Sequence, residues 1–190
     1  LSEDEISGEG QGTFEILDFG RANYNLSGGS STVLLIDQSG SYLEIDPYNN
    51  RTKALNKFLE DFGSDNYLIA GAFSKSGKLT TQPVEYPTNE FSTPWVHQKY
   101  LFELAGRTGG TNVLYDAIDE GLDKLILAPR YPRHLVAMVH ASDAGSTATL
   151  SSVIAKAIQY QVKIHIIVFG SEPAGSEVWE LVDKTNGMLA

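Results

Sequence analysis

The 190-residue chain contains no cysteine. Disulfides, thiolate zinc sites and cysteine nucleophiles are excluded together. A eukaryotic secreted setting also becomes less natural than a bacterial envelope, where proteins often do without disulfides. Basic residues are scarce: 14 Lys and Arg stand against 24 Asp and Glu, a formal charge of −10. Phosphate binding needs clustered Lys and Arg, so neither nucleic acid nor an anionic membrane surface is an expected partner. The same balance is compatible with binding cations. No apolar run approaches the roughly 20 residues of a membrane span, so direct membrane insertion is not expected. Neither an initiator Met nor a signal-peptide pattern is present, and a processed chain or an excised piece of a longer protein is expected.

What is present has the balance of an ordinary globular protein, 42% hydrophobic and 20% charged, with enough length for one sizeable domain. Residues 1–30 are acidic and Gly-rich and are expected to form a flexible lead-in, with one extra strand over Thr13–Phe19. Residues 31–190 are expected to be the domain proper. Apolar runs predict core strands at Thr32–Ile36, Tyr67–Phe73, Leu135–His140 and Lys163–Phe169. Leu79–Tyr86 reads as a short antiparallel edge strand, because it holds Pro83, which a central strand would not accept. Helical spacing marks Arg51–Phe62, closed by Gly63, then Val96–Ala105, the segment with Leu114, Ala117, Ile118, Gly121, Leu122 and Leu125 on one face, the segment around Leu150–Ile158, and Ser176–Lys184. The tail Gly187–Ala190 is expected to begin a last strand. Strands that are apolar nearly throughout, alternating with helices, predict a doubly wound α/β fold: a mainly parallel sheet, one antiparallel edge strand and helices on both faces.

The chemistry concentrates at the ends of these strands. Val33-Leu34-Leu35-Ile36 runs into Asp37-Gln38-Ser39-Gly40-Ser41, and open α/β sheets bind ligands beyond the carboxyl ends of their strands. Three oxygen-bearing side chains in five residues suit a hard cation such as Mg²⁺. Taken alone, they read equally well as a turn and helix-cap cluster. Two other segments send oxygens to the same edge: Thr111 behind Gly109-Gly110, and Asp143 after the third apolar strand. The double glycine lets the backbone bring Thr111 close. The plainer alternatives are an N-cap role for Thr111, and for Asp143 a cap before the helix at Leu150.

From about Ser31 to Ala190 the chain resembles the von Willebrand factor type A domain, also called the integrin I domain, with its metal-ion-dependent adhesion site. The Asp-x-Ser-x-Ser loop (Asp37, Ser39, Ser41), the Gly-Gly-Thr-Asn helix start (Thr111) and the strand-end Asp143 occur in family order. One departure stands out: the family usually has Thr-Asp-Gly where this chain has Ser142-Asp143-Ala144-Gly145. The resemblance implies Mg²⁺, with Mn²⁺ or Ca²⁺ as substitutes, ligated directly by Ser39, Ser41 and Thr111 and through waters by Asp37 and Asp143. It further implies a protein partner presenting Asp or Glu, an extracellular or cell-envelope location, and a final helix that shifts on ligand uptake. The alternative within the family is a scaffold module with a structural or idle site.

No enzyme is expected. A haloacid dehalogenase-type site wants a second Asp where Ser39 stands, the nucleotide-binding glycine motifs are missing, and Gln38-Ser39-Gly40 lacks the first glycine of a hydrolase elbow. The four His lack the spacing of zinc ligands; His140 and His165 are expected to be satisfied or edge residues. Tyr42, Tyr48 and Trp95 are candidates to rim the metal face, with packing or scattered surface positions as the plainer reading. Two sequons, Asn25-Leu26-Ser27 and Asn50-Arg51-Thr52, read as chance.

Overall fold

β1, Ser31–Asp37, is buried from end to end. Val33, Leu34, Leu35 and Ile36 are wholly inaccessible to solvent, and each contributes roughly 1.5–3 kcal/mol of burial. The structure, a computed structural model, describes residues 29–190 apart from 89, 94, 105–106, 141 and 171–174. The expected lead-in and its strand at Thr13–Phe19 lie outside the described residues.

After β1 come α1 (Tyr42–Ile45), α2 (Asn50–Asp61), β2 (Tyr67–Phe73), β3 (Val84–Glu85), α3 (Trp95–Leu104) and α4 (Leu114–Ile126). The chain continues through β4 (Arg133–Val139), α5 (Leu150–Gln159), β5 (Val162–Val168) and α6 (Ser176–Lys184). The strands form one sheet in the order β3-β2-β1-β4-β5. β1 pairs in parallel with β2 and β4, β4 pairs in parallel with β5, and β3 is antiparallel to β2.

Alternation along β1 divides the core. Val33 and Leu35 pack with the apolar stripes of α4, α5 and α6. Leu34 and Ile36 pack on the other face with Leu55 and Leu59 of α2 and Tyr100 of α3. The six residues expected to form one face of α4 are its buried residues. The fold class expected from the strand and helix alternation is the fold observed.

Most expected bounds stand within one residue of the observed ones, and two moved further. The edge strand is only Val84–Glu85 rather than Leu79–Tyr86, since Pro83 has no N–H to donate to β2 and the chain before it turns through irregular structure. β4 starts at Arg133, two residues before the apolar run, because its register with β1 pairs Ser31 with Arg133 and Thr32 with His134. The tail lies alongside β5 in an isolated parallel bridge of Leu189 with Ile166: the Ile166 N–H donates to the Met188 carbonyl, and the Ala190 N–H donates back to the Ile166 carbonyl.

From β1 the chain builds outward to β2 and β3, then crosses to β4 and β5 on the other side. The loops leaving β1 and β4 therefore diverge, which is the crevice where doubly wound sheets bind ligands. Asp37 ends β1 and His140 follows β4 at that crevice.

Candidate metal centre

Asp37 is the last residue of β1 and is fully buried. Its Oδ1 accepts the Ser39 N–H at 2.7 Å, folding the loop back on the strand end, and its Oδ2 accepts the Asn112 Nδ2–H at 3.1 Å. Burial pushes the Asp37 carboxyl up to about 6; the hydrogen bonds from Ser39 and the His140 main chain, and the positive charge of Arg51, pull the other way. A carboxylate held inside with so little opposing charge favours a cation beside it. Ser39 is buried and Ser41 exposed, yet their hydroxyl oxygens lie 3.1 Å apart.

The second segment is locked to the first by the main chain. The Gly40 N–H donates to the Gly110 carbonyl and the Gly109 N–H to the Gln38 carbonyl, both at 2.8 Å. Thr111 pairs its own N–H and carbonyl with Lys75, just after β2, at 2.8 and 2.9 Å. Gly110 sits at φ +84°, and a Cβ there would come within 2.3 Å of the Lys75 carbonyl. The double glycine thus allows the approach that brings Thr111 to this edge with its side chain exposed.

The third segment arrives by way of Asn112 and Thr111. The Ala144 N–H donates to the Asn112 carbonyl at 3.2 Å. A Cβ on Gly145 would lie 3.3 Å from the Thr111 methyl, so the displaced glycine still marks the close approach. Asp143 itself turns toward α4. Its Oδ1 accepts the Tyr115 N–H at 3.1 Å and the Ser146 hydroxyl, and its Oδ2 accepts the Ser146 N–H at 3.1 Å. It caps α4, whose own N-cap residue Val113 offers no side-chain acceptor. The plainer alternative for Asp143, a cap before the helix at Leu150, is not what is seen: Thr149 caps that helix, in a capping box with Ser152.

The structure therefore brings the Asp37, Thr111 and Asp143 segments together, with Asn112 bonded to the first and the third. Asp37, Ser39 and Ser41 form the compact part; Thr111 joins through its backbone, and the Asp143 carboxylate engages donors of its own chain. The donor set fits a small hard cation. Neighbouring ligands on an octahedron with metal–oxygen distances near 2.0–2.1 Å lie about 2.9 Å apart, close to the separation of the Ser39 and Ser41 hydroxyls. Among the described residues no group of three or more His, Cys, Asp or Glu could hold a metal, so any cation here would rely on hydroxyls and waters.

Of the aromatic candidates for a rim, Tyr42 is corrected: it is buried, with its ring 4.3 Å from the Arg51 guanidinium carbon. Trp95 is exposed, but it opens α3 three residues after Ser92, which pairs with Leu68 near the amino end of β2. That places it toward the opposite edge of the sheet. Tyr48, exposed at 72%, remains on the chain leaving the site. His165 pairs with His134 at 2.9 Å, and His140 contacts the Phe169 carbonyl through Nδ1.

No known family model matches the sequence, and no curated protein matches it. Among solved structures, a von Willebrand factor type A protein from Catenulispora acidiphila superposes with a TM-score of 0.66 over 86% of this chain, at 15% identity. The fold is that of a von Willebrand factor type A domain. This chain spans 38% of the length of the Catenulispora protein. An aerotolerance-related membrane protein from Bacteroides fragilis gives a TM-score of 0.61 at 13% identity, with 85% of this chain and 90% of that one covered. The pilus adhesin SpaC from Lactobacillus rhamnosus GG also gives 0.61, at 10% identity, covering 86% of this chain and 28% of the adhesin. Likenesses at these identities establish the type A fold alone. No helix among the described residues is long and apolar enough to cross a membrane.

Proposed function

We propose that this type A domain binds a protein partner through a divalent cation, Mg²⁺ or Mn²⁺, and performs no catalytic step. The observation that carries the reading is the pair of Ser39 and Ser41 hydroxyls, 3.1 Å apart, beside the wholly buried Asp37 carboxylate. Ser39, Ser41 and Thr111 would hold the ion directly, and Asp37 and Asp143 through waters. Neutral hydroxyls leave such an ion electron-poor, so it offers a position for an Asp or Glu carboxylate of the partner. An extracellular or cell-envelope setting is part of this proposal. It is supported by the names of two proteins sharing the fold, a pilus adhesin and an aerotolerance-related membrane protein.

Calorimetric titration with MgCl₂ and MnCl₂ tests the site before any partner is known. Saturable binding is expected for the natural chain and is expected to vanish in Ser39→Ala and Asp37→Ala. Equal heats in the natural chain and Asp37→Ala would overturn the assignment. A second reading, a scaffold with an idle site, is favoured by the hydrogen bonds that Asp37 and Asp143 accept from their own chain. It predicts no saturable heat with either cation.

A further inference from the structure

Arg51 has no accessible surface and its hydrogen bonds leave α2 in three directions. Nη1 donates to Asp46 Oδ2 at 2.9 Å, an ion pair whose side chains are both wholly buried. Nη2 donates to Gln38 Oε1 at 2.7 Å and to Thr108 Oγ1 at 3.0 Å, and the Thr108 hydroxyl closes the triangle on the same Gln38 oxygen at 3.0 Å. Tyr42 lays its ring against the guanidinium. Asp46 in turn accepts the Asn50 and Arg51 N–H groups at 2.7 and 3.0 Å, which anchors the ion pair to the first turn of α2.

The partners matter more than the pair. Gln38 stands between Asp37 and Ser39, so a side chain facing away from the crevice sits inside the loop whose flanking residues face it. Thr108 precedes the double glycine that carries Thr111. One guanidinium nitrogen therefore grips both loops from behind, while the Gly40–Gly110 and Gly109–Gln38 main-chain bonds close them in front. A planar cation with several fixed donors suits this task in a way that a lysine ammonium does not.

We infer that Arg51, with Gln38 and Thr108, is the positioning group that holds the Asp37–Ser41 loop against the Thr108–Thr111 loop, and so sets the geometry of the cation site. The cation part of this inference rests on the function proposed above; the loop-locking part does not. Amide hydrogen exchange on the whole chain in EDTA tests the locking directly. In Arg51→Met and in the gentler Thr108→Val, the Gly40 and Gly109 amides are expected to exchange faster by on the order of tenfold or more, as for loss of a hydrogen bond to a charged group. The amides of Leu34 and Leu35 are expected to keep their protection. Unchanged exchange at Gly40 and Gly109 in a folded Thr108→Val chain would overturn the inference.

Manganese titration of the same variants adds the second readout. Weakening by on the order of tenfold relative to the natural chain is expected, and Arg51→Lys is expected not to restore affinity. Full affinity in a folded Thr108→Val chain would defeat the claim that the lock sets the site. If the natural chain itself bound no cation, the function proposed above would fall, and the exchange comparison would still decide whether Arg51 locks the loops.

Discussion

Asp143 shows how one residue fits two descriptions. As a metal-site residue it belongs beside Thr111; as observed, its carboxylate accepts N–H groups from Tyr115 and Ser146. An acceptor at a helix start satisfies donors that the helix cannot, and losing one costs about 1 kcal/mol, with a range of roughly 0.5–2. Asp143→Ala is therefore expected to lower stability by about that amount in EDTA, measured by urea denaturation, because the capping role needs no ion. A variant as stable as the natural chain would show that the α4 contacts carry no weight. The candidate oxygen ligands are visible in the sequence because Asp, Ser and Thr at strand ends carry their chemistry openly. Arg51 and Asn112 are not. A buried arginine looks the same as a surface one in a helical stretch, and only the fold shows that Gln38 and Thr108 wait for it. Asn112 stood in the recognised motif, but its amide on Asp37 depends on a backbone path that residue types alone do not specify.

At the scale of the element, strands and helices with one dominant period were read correctly, because burial imposes that period on the sequence. β2 and α6 have the expected bounds. The segment from Leu79 to Tyr86 lacks such a constraint, since an edge strand has only one neighbour and Pro83 interrupts its pairing. β4 and β5 hold the clearest departure from an apolar interior: His134 and His165, each nearly buried, meet at 2.9 Å between ring nitrogens. Burial pushes both rings down to about 4, helped at His134 by His165 and at both by Lys163. An unfolded histidine titrates near 6.5, so between these values the unfolded chain holds more protons than the native one. The stability from keeping the rings neutral is complete above about pH 6.5 and is lost as pH falls through about 4, with a ceiling of about 3 kcal/mol per ring. Urea midpoints for the natural chain are expected to fall from pH 7.5 to pH 4.5 more steeply than for a His134→Leu, His165→Leu double variant. Parallel slopes would assign the acid sensitivity elsewhere.

On the scale of the whole molecule, the strand order decides where the crevice lies. β1 is central, and the chain moves from β1 to β2 on one side and from β4 to β5 on the other, so the crevice above Asp37 follows from topology before any ligand is considered. The same centrality ties a ligand there to global stability. Unfolding the sheet separates the Asp37–Ser41 loop from Thr111 and Asp143, so a cation that needs all three segments binds only the native state. Such binding stabilises by RT ln(1 + [L]/Kd), about 2.7 kcal/mol when the ion is at 100 times its Kd. For a domain of this size each kcal/mol raises Tm by roughly 2–4 °C, so saturating Mg²⁺ is expected to raise Tm by about 5–10 °C over EDTA. Asp37→Ala is expected to show no such shift, whichever direction its own Tm moves. The formal charge of −10 gives any divalent ion a weak, non-specific benefit as well, and a sodium series at matched ionic strength, run beside Mg²⁺ on Asp37→Ala, separates that screening from site binding. A Tm rise of equal size in Asp37→Ala would mean that the ion acts on the acidic surface as a whole and that the crevice above β1 holds nothing.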